Sequence, residues 1–351
     1  MRRNSQEAVR RVLVAVVLAV VATGCARAIK PPAYALVLPE EYNTPDGMTI
    51  DKDGNILLSC PNTNNQEHGA KILKIDKDEN VSEVVALPVH PVTKKPAGPL
   101  GIAEGPDGHL YVADNQSFVT SEIQSRLLRV VMKGGKAQKV EVVATNLFMA
   151  NGVACHGDSV YVVESNFDPA VKPIKSGVYR FKIADLKGDK PIEVKGADDP
   201  HVCARILTKN PDWVGANGLG FDAEGRMYLC NFGDAMLHRF TFDKEGKIAR
   251  SEVVAVRHGM ESCDGMCVDR ETGDVYIADF LGNAVHKVCP KTGTVTTVAK
   301  NGNTKGKDGL LDKPSEPCVR GNKLYVSNID LPLAGNKYDE PHTISVIELS
   351  K

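Results

Sequence analysis

Charge of one sign is not in excess in this 351-residue chain: 43 Lys and Arg stand against 44 Asp and Glu. No patch of basic residues interleaved with aromatics appears, which argues against nucleic acid as a partner. There is no Cys-x-x-Cys, so neither a zinc ribbon nor a thioredoxin-type redox site is expected. Long apolar runs are also missing. The one marked stretch, residues 12–21, is too short for a good membrane-crossing helix. Tryptophan occurs once, at Trp213.

That apolar stretch has another meaning. Arg2, Arg3, Arg10 and Arg11 form a basic segment ahead of it, and it runs into Val21-Ala-Thr-Gly-Cys25. This is the layout of an export signal over residues 1–25. A small residue before Cys is how a bacterial lipoprotein signal ends, so Cys25 is the expected lipidation point. An ordinary secretory cut nearby is the alternative. The expected location is periplasmic or at the cell surface, with any membrane contact made through a lipid on Cys25. Residues 26–30 read as a tether and 31–351 as a single domain. Export permits disulfides, and eight further cysteines remain: Cys60, Cys155, Cys203, Cys230, Cys263, Cys267, Cys289 and Cys318.

A short pattern returns six times: an apolar alternation, a polar turn and a second apolar run. The copies start at Asp46, Leu100, Asn151, Asn217, Asp264 and Glu316, spaced 54, 51, 66, 47 and 52 residues apart. Self-similarity at this period is the mark of a β-propeller. Each copy reads as a hairpin, and third and fourth strands follow in most copies (Lys71-Ile-Leu-Lys-Ile and Ser82-Glu-Val-Val-Ala in the first), giving four-stranded blades. The third copy is longer, and its insertion around residues 187–212 is expected to add a loop beside the fourth strand. The sixth copy runs out after His342-Thr-Ile-Ser-Val-Ile-Glu-Leu. The fourth strand it lacks can come from Tyr34-Ala-Leu-Val-Leu, closing the ring and removing an exposed sheet edge. The expected fold is all-β: a six-bladed propeller closed by its N- and C-terminal strands.

In a propeller the first strand of each blade lines the central channel, so the six leading residues converge at one mouth. Five of them are polar. Asp46, Asn151, Asn217 and Asp264 offer only oxygen ligands and two negative charges, which suits Ca²⁺ better than Mg²⁺; another divalent cation would also fit. Such dipeptides also occur at ordinary turns. Gly follows in five copies and allows close approach where the channel is crowded. The second strands end in Cys60, Asp114, Glu164, Asn231, Asp279 and Asn328, farther from the axis on the same face. The polar members either contact substrate or brace the inner ring. His68, His90 and His258 fall in loops on this face, and His109 lies at the opposite mouth. Trp213 either walls the pocket or packs between blades.

Ala216-Asn217-Gly-Leu and Cys263-Asp264-Gly-Met-Cys-Val-Asp269 resemble the Asn-Gly and Asp-Gly-Met segments of the senescence marker protein/gluconolactonase family of regucalcin-like six-bladed propellers. Paraoxonases and diisopropylfluorophosphatase are more distant resemblances. The likeness implies a catalytic Ca²⁺ held by Asp46, Asn151, Asn217 and Asp264. Asp46 stands where the family usually carries Glu, and Glu41 is the alternative ligand. It further implies hydrolysis of a lactone or a related ester or phosphoester of small size, with the metal polarising the substrate oxygen. Asp264 would act as base or nucleophile. A carboxylate on a dication is a weak base, which makes Glu316 the alternative. A non-catalytic exported propeller that binds a ligand or protein on the same face is the competing reading, because the fold serves both roles.

Overall fold

The computed structural model describes residue 29 and residues 33–349. Each sequence copy folds as antiparallel strands paired in chain order, and two of the six sheets take one further strand from elsewhere in the chain. Blade I contains Met48–Ile50, Ile56–Cys60, Lys71–Ile75 and Val81–Ala86, from the axis outward. Blade IV contains Ala216–Phe221, Met227–Asn231, Met236–Phe242 and Ile248–Val256, and blade V begins with Met266–Val268 and Val275–Asp279. Six such sheets make a six-bladed β-propeller. The signal segment, Cys25 and most of the tether lie outside the described residues. Ile29 pairs with Lys300 on the outer strand of blade V.

The hairpin turns explain the recurring Asp and Gly. Asp51 Oδ1 accepts from the N–H groups of Asp53 and Asn55, and Asp222 Oδ1 accepts from those of Glu224 and Arg226. The carboxylate thereby satisfies turn donors that no strand can reach. Middle strands are buried on both faces: Ile56–Cys60 and Ser159–Glu164 have no exposed residue. Apolar clusters fill the gaps between blades, as where Leu57 and Ile72 of blade I meet Ile102, Val112 and Leu128 of blade II. This is why the second strands read as continuous apolar runs rather than as alternations.

The ring closes as expected. Ala33–Leu38 pairs antiparallel with His342–Glu348, from Ala33 opposite Ile347 to Leu38 opposite His342. A polar knot ties this blade to blade I: Glu79 accepts from Tyr34 Oη at 2.5 Å, Tyr325 Oη at 2.7 Å and Lys323 Nζ at 3.0 Å.

Two expectations need correction. The third-copy insertion is not a loop beside the fourth strand. Val202–Thr208 within it is itself the fourth strand of blade III, and Ile192–Glu193 crosses over to pair parallel with Lys136–Leu147, giving blade II a fifth strand. That pairing covers an edge that would otherwise be open. The register of the sixth copy is also one residue off. In blades II, III, IV and VI the first strand carries a bulge, between Pro99 and Ile102, Ala150 and Val153, Ala216 and Leu219, and Pro314 and Pro317. The bulged pairs are Leu100-Gly101, Asn151-Gly152, Asn217-Gly218 and Ser315-Glu316. Ser315 therefore takes the leading position in blade VI, and Glu316 takes the place of the glycine.

Candidate active site

The leading residues reach the axis because adjacent first strands touch backbone to backbone. The glycine after each leading residue faces the leading residue of the next blade. A Cβ on Gly152 would lie 2.5 Å from Asn217 O, and one on Gly218 would lie 2.7 Å from Asp264 O. Gly218 N also donates to Asp264 O at 3.1 Å, and Gly265 N to Ser315 O at 2.9 Å. Glycine is thus required by the neighbouring main chain, not by crowded side chains. Between blades VI and I serines make the connection: Ser327 Oγ donates to Asp46 O at 2.6 Å and Ser315 Oγ donates to Asp46 Oδ1. Glu316 lies against Gly265, and its Oε1 accepts from Met266 N at 3.1 Å.

Asp46, Asn217 and Asp264 are buried, while Asn151 and Glu316 keep partial exposure. Burial pushes the Asp46 carboxyl up to about 6, against the lowering effect of the Ser315 hydroxyl. Asp264 is raised well above the ordinary range by burial and then by the charges of Asp46 and Asp279, while the Asn217 side chain works the other way. Glu316 is raised by burial and by Asp46 and Asp264, with the Met266 N–H opposing. The charges acting on Asp264 and Glu316 are all carboxylates. Buried carboxylates that repel one another without a basic partner are costly. Two of them with Asn217 beside Asp264, in an oxygen-only surround, suit a hard dication. Leu100, buried, is the one apolar leading residue. Glu41 is exposed on a short 3₁₀ turn outside the ring.

The residues ending the second strands hold the loops that lead to the axis. Asp114 accepts from Gly98 N at 2.8 Å and pairs with Arg126. Glu164 accepts from Phe148 N at 2.8 Å and Met149 N at 2.7 Å, and burial pushes its carboxyl up to about 7. Asp279 accepts from Glu261 N at 2.8 Å, Ser262 N at 2.7 Å and Gly282 N at 2.9 Å, and contacts His286 Nε2 at 3.2 Å. Asn328 accepts from Asp312 N at 3.0 Å. Apart from Gly282 N, the bonded N–H groups lie two or three residues ahead of a leading residue. Asn231 instead bonds the end of the previous blade's outer strand, through Thr208 Oγ1 and Leu207 O. In blade I the site is Cys60, and Asn62 takes over, accepting from Asn43 N at 2.9 Å. This bracket is a feature that sequence alone left undecided.

Other candidates lie elsewhere. His90 Nε2 contacts Gln124 O at 3.0 Å, and His109 Nδ1 accepts from Met132 N at 3.2 Å. His68 ends a 3₁₀ turn, and His258 sits at positive φ in a loop. Trp213 packs on Phe232 beside Phe280, Ile329 and Leu331, in an apolar cluster bridging the loops of blades IV, V and VI. The eight described cysteines are all free.

Several solved propellers share this architecture. A gluconolactonase from Xanthomonas campestris is similar at 15% identity, with 94% of this chain and 99% of that one covered and a TM-score of 0.58. A luciferin-regenerating enzyme is similar at 14% identity, with 91% and 96% covered and a TM-score of 0.57. The PQQ-bound aldose sugar dehydrogenase of Streptomyces coelicolor is as near, at 16% identity, 91% and 99% covered and a TM-score of 0.56. A gluconolactonase and a dehydrogenase at equal distance mean that these neighbours establish the fold and not the chemistry. A search of curated proteins finds no significant match. The model of the SMP-30/gluconolactonase/LRE-like region matches residues 95–305, most of the propeller including the Asn151, Asn217 and Asp264 segments, and the chain belongs to that family.

Proposed function

We propose that the chain is a calcium-dependent hydrolase of lactones or related small esters or phosphoesters. Family membership supports a lactonase-type hydrolase in general terms. The observation that carries the finer reading is the two axial carboxylates Asp46 and Asp264, both buried, with the Asp46 charge acting on Asp264 and no basic counter-charge beside either. With Asn151 these residues would hold the cation, which when bound supplies a Lewis acid for the substrate's carbonyl or phosphoryl oxygen.

The chain's own residues do the rest. Ser315 holds Asp46 through Oδ1, fixing one carboxylate in the ring. Asn217 steadies Asp264. Asp264 or Glu316 accepts the proton of the attacking water. Glu316 is held by the Met266 N–H and is not in the ligand set, so it can stay basic while Asp264 is engaged. The segment preceding Ala26 supports an exported protein, lipid-anchored at Cys25.

The test is a screen of lactones, aryl esters and phosphotriesters with the calcium-loaded protein, repeated with Asp264→Asn. The proposal expects hydrolysis of at least one class, abolished together with cation binding in the variant. Full turnover by a variant that no longer holds calcium would remove the metal from the reaction. A calcium-loaded protein that turns over none of the three would favour the non-catalytic binding module.

A further inference from the structure

A second oxygen cluster lies in blade VI, away from the ring. Asp312 precedes the first strand by two residues, while Asp330 and Asp339 lie in the long loop between Lys323–Asn328 and His342–Glu348. One ligand oxygen from each of the three falls within 4.8 Å of the others, the one such acidic group among the described residues. Asp312 is 1% exposed and Asp330 2%.

Carboxylates can cluster without a ligand, so the buried oxygens left without any partner matter more. Asn336, 7% exposed, donates through Nδ2 to Asp330 Oδ1 at 2.7 Å, and its side chain also lies against the Asp312 carboxylate. Its Oδ1 is buried and has no hydrogen-bond partner. Asp312 Oδ1 and Asp339 Oδ1 are likewise unpartnered. Asp330 is bonded through both oxygens, Oδ1 by Asn336 Nδ2 and Oδ2 by Asp339 N at 3.0 Å, but one buried oxygen each of Asp312 and Asp339 is left with no donor, an expensive arrangement beside other carboxylates. The basic groups nearby do not fill it. Lys313 turns away to Phe280, with Nζ 3.3 Å from its carbonyl oxygen, and Lys305 reaches only Asp339 Oδ2, at 3.7 Å from the outside. His342 directs Nε2 to Glu40 at 2.6 Å.

We propose that Asp312, Asp330 and Asp339 form a second divalent-cation site, selective for calcium and separate from the axial one. Three carboxylates on two loops are a hard, flexible set of the kind Ca²⁺ takes, with main-chain oxygens and water able to complete it. The site would be structural. Asp312 N is fastened to Asn328, Asp330 O accepts from Asn64 Nδ2 of blade I at 3.0 Å, and Ser315 follows Asp312 by three residues. A cation there clamps the loop of residues 329–341 to the segment that presents Ser315 and Glu316 to the axis.

Calorimetric titration of calcium into the metal-stripped full-length chain at neutral pH tests this. Two sites per chain are expected, with one remaining in Asp339→Asn, one in Asp264→Asn and none in the double variant. Asp339 is the least buried member, and circular dichroism reports folding; Asp339→Ser is the substitute should Asn perturb the loop. A stoichiometry that neither Asp339 change lowers overturns the proposal. If the Asp339 changes lower it and Asp264→Asn does not, this site stands and the axial one falls.

Discussion

Replacing Asp46 by Asn should stabilise the metal-free protein, against the usual direction for a buried polar change. The Asp46 carboxyl is raised from 3.8 to about 6 by burial. A raised carboxyl contributes nothing adverse below pH 3.8, where both states are protonated. Its cost grows from about pH 3.8 to about 6, where the unfolded chain has ionised and the folded one has not, and is complete above about 6. At 1.36 kcal/mol per pKa unit the full cost is about 3 kcal/mol. Asn is neutral throughout, has nearly the same shape and can still accept from Ser315 Oγ. In chelator at about pH 8, Asp46→Asn should therefore unfold later than wild type by up to about 3 kcal/mol, on the order of 5 °C. At about pH 4 the difference should shrink below about 1 kcal/mol. Saturating calcium should reverse the order, since the wild type gains binding energy that the variant has largely lost. Denaturant unfolding at the two pH values, with and without calcium, gives all four numbers. A variant that is less stable than wild type by the same amount at both pH values, with an unchanged calcium effect, would show that the Asp46 charge neither costs stability nor binds the cation.

Other outcomes follow from the same geometry. Glu316→Gln should keep calcium affinity and lose at least about 100-fold in kcat if Glu316 is the base; unchanged kcat assigns the role to Asp264. Gly218→Ala places a methyl 2.7 Å from Asp264 O and should cost about 1–3 kcal/mol in denaturant unfolding while weakening calcium binding. Asp279→Ala strips three backbone N–H groups and His286 of their acceptor and should cost about 3–5 kcal/mol by the same assay. Deleting the chain through Leu38 exposes the edge of His342–Glu348, and light scattering should detect self-association that the full chain lacks.

The fold was legible because the repeat is a geometric constraint. Six hairpins at a near-constant period, with Tyr34–Leu38 left over at one end and a short copy at the other, admit one closed ring. Two features were not legible. The one-residue offset in blade VI is hidden by a bulge: Ser315-Glu316 occupies the place of Asn-Gly, and only the pairing of Pro317 with Val326 reveals it. Matching on polarity selects Glu316, because the strong acid outweighs the serine. The crossover of Ile192–Glu193 to blade II rests on a two-residue pairing that carries no periodic signal. The polar ends of the second strands were visible as a set, but their bracket role depends on partners about 16 residues back in the chain, whose spacing follows from the hairpin and not from any motif. The Asp312, Asp330, Asp339 group was invisible for a similar reason, since its members lie on two separate loops with no regular spacing.

The most direct measurement of the central claim is the initial rate of lactone hydrolysis by the full chain, stripped of metal and then titrated with calcium. No turnover above background is expected in chelator, and recovery should saturate with the occupancy of the Asp264-dependent site. Hydrolysis that persists at full rate in chelator would contradict the claim.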